Sequence, residues 1–175
     1  MKNLNRFSRF FEHLFSHPWQ VKRYFCHDGL SVIEQVITES EKRHTGEIRF
    51  VVEAGLSLEE VISKKTPRKR AIELFSSLRM WDTEHNNGVL IYLLLADNDI
   101  EIVADRGIDR QVGHARWNAI CHEMEEKFKQ GEFEGGVLQG IAEISMELER
   151  YFPENTLITD NKRKKNEIPN KPIIL

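Results

Sequence analysis

Nine consecutive residues, Gly88-Val-Leu-Ile-Tyr-Leu-Leu-Leu-Ala96, carry no charge and almost nothing that prefers water. The run is far shorter than the roughly 18 apolar residues a membrane-spanning helix needs. Turn formers bound it, Asn86-Asn87 before and Asp97-Asn98-Asp99 after. A strand with one wet face alternates apolar and polar residues, whereas one that is apolar throughout must be covered on both faces. This run is therefore expected to be the middle strand of a sheet with helices above and below.

The neighbouring segments fit that expectation. Asp97-Asn98-Asp99 makes a tight turn, and Ile100-Glu-Ile-Val-Ala-Asp105 returns antiparallel as a hairpin. Upstream, residues 47–54 (EIRFVVEA) alternate and are rich in β-branched residues, which reads as another strand. Between the two, Thr66 and Pro67 supply an N-cap and a first-position proline for a helix that buries Ile72, Phe75 and either Leu78 or the stem of Arg79. Strand, helix and strand make a βαβ unit with parallel strands. Ser31 with Glu34, and Ser57 with Glu60, read as capping boxes. The first opens a helix with Ile33, Val36 and Ile37 inward, and the second a short helical turn. Two helices follow the hairpin: 110–129, burying Val112, Trp117, Ile120, Cys121, Met124 and Phe128, and 135–151, burying Leu138, Ile141, Ile144 and Leu148. The predicted fold is α/β, a small mixed sheet of βαβ plus hairpin sandwiched between helices.

Three regions are expected along the 175 residues. Residues 1–27 form a basic N-terminal arm in which Phe7, Phe10, Phe11, Leu14 and Phe15 recur at helical spacing, either packing back on the domain or contacting a membrane surface or partner. Residues 28–153 form the domain, and 154–175 a basic, disordered tail containing Asn-Lys-Arg-Lys-Lys. Arg6, Arg9 and Glu12 interrupt what would be the apolar core of a signal peptide. The arm, counted over 1–25, is +4 and the tail +2, which leaves −9 for residues 26–153 of a chain whose total is −3. An acidic domain repels phosphate backbones, so nucleic acid is not expected as a partner. Two cysteines, Cys26 and Cys121, lie far apart, which suits a reducing compartment and excludes a disulfide scaffold or zinc ribbon. The expected location is the cytoplasm, with peripheral contact at the inner membrane through the arm.

Thr45-Gly46-Glu47-Ile48, Asn87-Gly88-Val89-Leu90, Gly107-Ile108-Asp109 and the late FKQGEFEGGVLQGI, 128–141, form an ordered set. At these spacings the chain resembles the TPM domain family, formerly a domain of unknown function, and its short bacterial cytoplasmic branch. The resemblance implies an α/β/α fold around a small sheet. It also implies calcium binding in some members and, for a plant thylakoid-lumen relative, acid phosphatase activity and photosystem II repair. Other TPM-domain proteins and LemA-type membrane proteins are the partners it suggests. Two positions depart from the family pattern: Asn86 stands where many members have aspartate, and Asp105 where many have glycine. A negative charge has in effect moved between neighbouring loops.

The chemistry-bearing residues gather in two stretches. In WDTEHNNG, 81–88, the residues Asp82, Glu84 and Asn86 alternate like an EF-hand opening, but Asn87 and Leu93 stand where glycine and glutamate are required. In IEIVADRGID, 100–109, Asp105 ends a strand expected to finish beside Asn87. Asp82, Glu84, Asn87, Asp105 and Asp109 are therefore the candidate ligands of a hard divalent cation, Ca2+ or Mg2+, which takes carboxylate, amide and carbonyl oxygens. Solvated turns and surface ion pairs with Arg106 or Arg110 are the competing reading. Were the site catalytic, Asp105, Arg106 and Asp109 would be its residues, with Arg106 facing a phosphate. His114 and His122 fall about 80° apart on a helix, poor spacing for one metal, and His122-Glu123 does not continue as HExxH. Cys121 reads as a core thiol, and Trp117 as core or as a ring under the Asp105 loop.

No P-loop, aspartyl-phosphate motif or cysteine phosphatase loop is present in the sequence. The leading expectation is a non-enzymatic binding or assembly module near a membrane-associated complex, modulated by a divalent cation. The alternative is a metal-assisted phosphatase acting on phosphate esters, and the third reading a structural domain with charged turns.

Overall fold

A computed structural model describes residues 6–25, 27–154 and 166–175 of the chain. Its centre is β2 (Gly88–Leu94), in which every residue is buried. On one side β2 pairs in parallel with β1 (Glu47–Glu53), Glu47 opposite Gly88 and Glu53 opposite Leu94. On the other it pairs antiparallel with β3 (Asp99–Ala104), Val89 opposite Ala104. The strand order is β3-β2-β1-β4, with β4 (Ile173–Ile174) added in parallel beside β1.

The period-two geometry of β2 sends its side chains into two separate cores. Val89, Ile91 and Leu93 join a large cluster with Ile33 and Ile37 of α3 (His27–Ser40). Ile120 and Met124 of α7 (His114–Lys129) and Ile141, Ile144 and Leu148 of α8 (Phe133–Tyr151) complete that cluster. Leu90, Tyr92 and Leu94 join a smaller one with Ala71, Leu74 and Phe75 of α5 (Pro67–Ser77). Beneath α5, Arg70 donates two hydrogen bonds, of 2.9 and 2.8 Å, to the Glu53 carboxylate, which also accepts from the Tyr92 hydroxyl at 2.6 Å. The polar tip of β2 is thereby satisfied inside the smaller core. Burial and the Glu53 carboxylate push the Tyr92 hydroxyl well above the usual phenol range.

The rest of the chain covers this unit. The arm comprises α1 (Arg6–Leu14), a 3-10 turn at Pro18–Gln20 and α2 (Val21–Tyr24). The Ser57–Glu60 capping box is present at the start of α4 (Leu58–Ile62). Thr66 caps α5 as expected, its hydroxyl accepting from the Lys69 amide. Among the described residues, no helix is long and apolar enough to cross a membrane.

Four expectations are corrected. The α3 helix starts at His27 rather than Ser31, because an extra turn packs Leu30 against the core; Ser31 is thus inside the helix and caps nothing. In α5, Ile72 is 47% exposed, and Ala71, Leu74 and Phe75 face the sheet, the i, i+3, i+4 stripe whose phase the N-cap and proline set. The helix expected over 110–129 is two, α6 (Arg106–Val112) and α7, divided at Gly113. Gly113 has φ +81°, a backbone state that favours glycine. Finally, the tail expected to be disordered over 154–175 is ordered over 166–175. Ile168 is buried, the Leu175 amide donates to Val52 O at 3.0 Å, and the Ala54 amide donates to Leu175 O at 3.1 Å. The last residues cover the edge of β1, which would otherwise present unpaired backbone groups; residues 155–165 of that expectation lie outside the described residues, as does Cys26.

Truncating the two-faced strand should be costly where truncating the corrected position is not. Leu90→Ala is expected to lower stability by about 2–5 kcal/mol, and Ile72→Ala to change it by no more than about 0.5 kcal/mol. Denaturant midpoints measure both.

Candidate functional site

At the amino ends of β1 and β2, three segments meet. Residues 81–87 lead into β2, Thr45 stands two residues before β1, and α6 begins where β3 ends. The hairpin register puts Asp105 opposite Gly88, and the Asp105 amide donates to Gly88 O at 2.8 Å. The sequence expectation that Asp105 finishes beside Asn87 is met. Asn86 turns the chain with φ +52°, a left-handed state that asparagine tolerates. Its carbonyl then accepts from the Gly107 and Ile108 amides at 2.9 and 3.3 Å, and its side-chain oxygen from Arg106 Nε at 3.0 Å. Gly107 is required by this approach: a Cβ there would sit 2.5 Å from Asn86 O and 2.6 Å from His85 O. The β2 entry loop and the start of α6 are therefore in direct contact.

Two polar side chains are buried at the junction. Asn87 is 1% exposed; its Nδ2 donates to Thr45 Oγ1 at 3.0 Å and its amide to Thr83 Oγ1 at 3.1 Å. Asp105 is 8% exposed and caps α6, its Oδ1 accepting from the Arg106 amide at 2.7 Å. The remaining oxygen of each, Asn87 Oδ1 and Asp105 Oδ2, is buried without a hydrogen-bond partner among the described residues. Leaving a buried acceptor unsatisfied costs roughly 1–3 kcal/mol, more when it is charged. A carboxylate oxygen and a carboxamide oxygen are donor types that calcium or magnesium takes.

The other predicted ligands are placed differently. Asp109, one helical turn on, is exposed, and its Oδ1 accepts from Trp117 Nε1 at 3.0 Å. Trp117 is thus both core and support for this loop. Asp82 and Glu84 are exposed, and the Glu84 amide donates to Glu167 Oε2 at 3.2 Å. Among the described residues, no three His, Cys, Asp or Glu side chains are grouped so as to hold a metal. The structure places the backbones of Asn87 and Asp105 at neighbouring positions of the hairpin, with Asp109 on the next turn, and does not gather the full five-residue set. Thr45 and Thr83, which orient Asn87, were missed as site residues. Thr45 lies in a motif the sequence reading quoted without a role, and both act through contacts that spacing does not encode.

The remaining candidates are quiet. His114 and His122 are exposed. Burial pushes the Cys121 thiol up to about 12, so it is protonated and inert at neutral pH. One carboxyl stands out. Burial, then Glu101, Glu125 and Asp97, push Asp99 at the hairpin up to about 7.

A family model, the TPM domain, matches residues 25–147. The chain belongs to the TPM domain family. No functionally curated protein is similar enough to match it. Among solved structures it is similar to the NMR structure of BA42 protein from the psychrophilic bacterium Bizionia argentinensis. That likeness has a TM-score of 0.72 and 29% identity, covering 86% of this chain and 94% of the other. The sheet order and the helices on both faces are thus those of a TPM-type protein. The matched segment takes in Thr45, Asn87, Asp105 and Asp109, so the junction is part of the family domain rather than an appendage.

The Asp99 environment has a pH signature. The folded protein holds that proton more tightly than the unfolded chain, whose aspartate titrates near 4. The stabilisation is present below about pH 4 and lost as pH rises through about 7. Asp99→Asn is expected to leave the melting temperature unchanged near pH 4 and raise it at pH 8. Thermal melts of both proteins across that range check it, and parallel profiles would remove the assignment.

Proposed function

We propose that this TPM-domain protein is a non-enzymatic binding module whose 83–88 and 105–109 junction takes a divalent cation, calcium or magnesium. The observation that carries the reading is the pair of unpartnered buried oxygens, Asn87 Oδ1 and Asp105 Oδ2. Ordering by the ion would stiffen the contact between the β2 entry loop and α6 and so present a fixed surface to a partner. Other TPM-domain or LemA-type membrane proteins are the partners that the family resemblance supports. Asp109 lies one turn along α6 from Asp105 and joins the set through water, while Asp82 and Glu84 lend negative field at the rim.

An ion that binds only the folded state stabilises it by RT ln(1 + [L]/Kd), about 2.7 kcal/mol at a hundredfold excess over Kd. Calcium or magnesium is expected to raise the melting temperature and to shift backbone amides of 83–88 and 105–109 saturably. Asp105→Asn, which retains a capping oxygen for α6, should abolish both effects. An unshifted melting temperature with amides unmoved at millimolar ion would end the cation reading.

A second reading, a metal-assisted phosphatase, is favoured by Arg106 alone. Arg106 is exposed at the start of α6, and its Nε donates to Asn86 Oδ1 in the same loop. A bound divalent ion supplies Lewis acidity and an activated water in such chemistry. Arg106 would hold the phosphoryl oxygens by charge-assisted hydrogen bonds. This reading predicts magnesium-dependent hydrolysis of p-nitrophenyl phosphate, lost in Arg106→Ala and in Asp105→Asn; turnover surviving both would assign it to a contaminant.

A further inference from the structure

The N-terminal arm lies at the opposite, carboxyl end of β1 and β2, and its manner of docking is unusual. A helix that returns to its domain ordinarily buries its large apolar side chains. This one docks through a histidine. His13 is 4% exposed; its Nδ1 accepts from the Leu56 amide at 2.9 Å, which leaves the ring proton on Nε2, 3.1 Å from Asp97 Oδ1. Further along, Val21 and Phe25 are fully inserted in the larger core, at 0% and 1% exposure.

Those three anchors fix what points outward. At 100° per residue, positions two before and two after His13 lie about 160° round the helix from it. They are Phe11 and Phe15, 51% and 64% exposed, their rings stacked with centroids 6.3 Å apart. Between Phe15 and Val21 the 3-10 turn presents Trp19, 63% exposed; between Val21 and Phe25 the chain presents Lys22 and Arg23, while the Tyr24 ring leans on Phe133 of α8 with centroids 4.4 Å apart. Phe11, Phe15, Arg23 and Tyr24 line an open cleft of about 490 Å3 against Ala54 and Leu95. Aromatic rings with basic side chains, open to water, are the composition of elements that lie in a bilayer interface.

The charge distribution selects the occupant. Residues 1–25 carry +4 and residues 26–153 carry −9. An anionic lipid surface attracts the arm and repels the body, and the exposed Lys22 and Arg23 set that attraction beside the aromatic side chains. An acidic protein surface would supply charge but no apolar layer for three exposed rings. We infer that the arm is a preformed peripheral docking surface for anionic lipid bilayers, with Phe11, Phe15 and Trp19 entering the headgroup layer and Lys22 and Arg23 against the phosphates. This goes beyond the cation reading and is independent of it, since the two surfaces sit at opposite ends of the sheet.

The test uses the full chain carrying Trp81→Phe, so that the exposed reporter is Trp19. Co-sedimentation is measured with vesicles of phosphatidylglycerol and phosphatidylcholine and with phosphatidylcholine alone. Binding is expected only to the anionic vesicles, weakened by salt, with a blue shift of tryptophan emission. Lys22→Gln with Arg23→Gln should weaken it roughly 30-fold, about 5-fold for each charge removed. Phe11→Ser with Phe15→Ser should weaken it at least 10-fold, and because both rings are exposed the fold should survive, checked by an unchanged melting temperature. Absence of partition onto anionic vesicles at millimolar lipid overturns the inference and gives the surface to a protein partner. Equal binding to uncharged vesicles, or binding that neither double variant changes, also overturns it.

Discussion

Everything in this fold follows from the burial of β2 on both faces. Seven successive residues without exposure require two layers of apolar cover, and no single amphipathic helix supplies both. The chain meets the requirement asymmetrically. Three helices, α3, α7 and α8, lie over Val89, Ile91 and Leu93, whereas α5, with Leu56, Met80 and Ile168 at its margins, lies over Leu90, Tyr92 and Leu94. The thinner side compensates with polar chemistry, the Glu53–Arg70–Tyr92 set. A buried carboxylate is tolerated there because a guanidinium and a hydroxyl both donate to it.

A central strand that is filled with side chains leaves function to the ends of the sheet. The two ends have different characters for a topological reason. At the amino ends of β1 and β2, the hairpin brings the end of β3 back to the start of β2, so a strand terminus, a loop and a helix start converge on one spot. Backbone amides and carbonyls are plentiful there, and the Asn87 and Asp105 side chains are drawn into them. At the carboxyl ends, two segments distant in sequence complete the structure: the arm, and residues 173–175, which carry the edge strand β4. Their chemistry is apolar and basic rather than acidic. The molecule is thus polar in the electrostatic sense, with opposite charge on arm and body.

The edges of the sheet are protected by different means. On the β3 side, Arg68 of α5 donates to the Ile102 carbonyl at 2.5 Å and lies 3.3 Å from Glu101, so a cation caps backbone that would otherwise invite pairing. On the β1 side the protection is the chain's own C-terminal segment. It is held beyond its two paired residues by Ile168, whose amide donates to Glu47, and by Asn170, whose amide group donates to Thr38 and Glu41. Both devices place polar groups where they satisfy one another instead of water.

The sequence by itself determined the central strand, its parallel and antiparallel neighbours, the caps at Ser57 and Thr66, and the approach of Asp105 to Asn87. These are local or nearly local consequences of apolar periodicity, cap chemistry and hairpin register. Tertiary structure decided the rest. Ser31 has the residues of a cap, yet packing of Leu30 carries the helix past it. The break at Gly113 rests on a backbone φ of +81°, which helical periodicity alone does not reveal. Residues 166–175 look polar on average, but the open edge of β1 selects Ile168, Ile173 and Ile174 from among them. At the site, spacing nominated five oxygen ligands and could not separate the buried pair from exposed Asp82 and Glu84. Burial and hydrogen-bond completion are properties of what surrounds a side chain, and those surroundings come from residues as distant as Thr45.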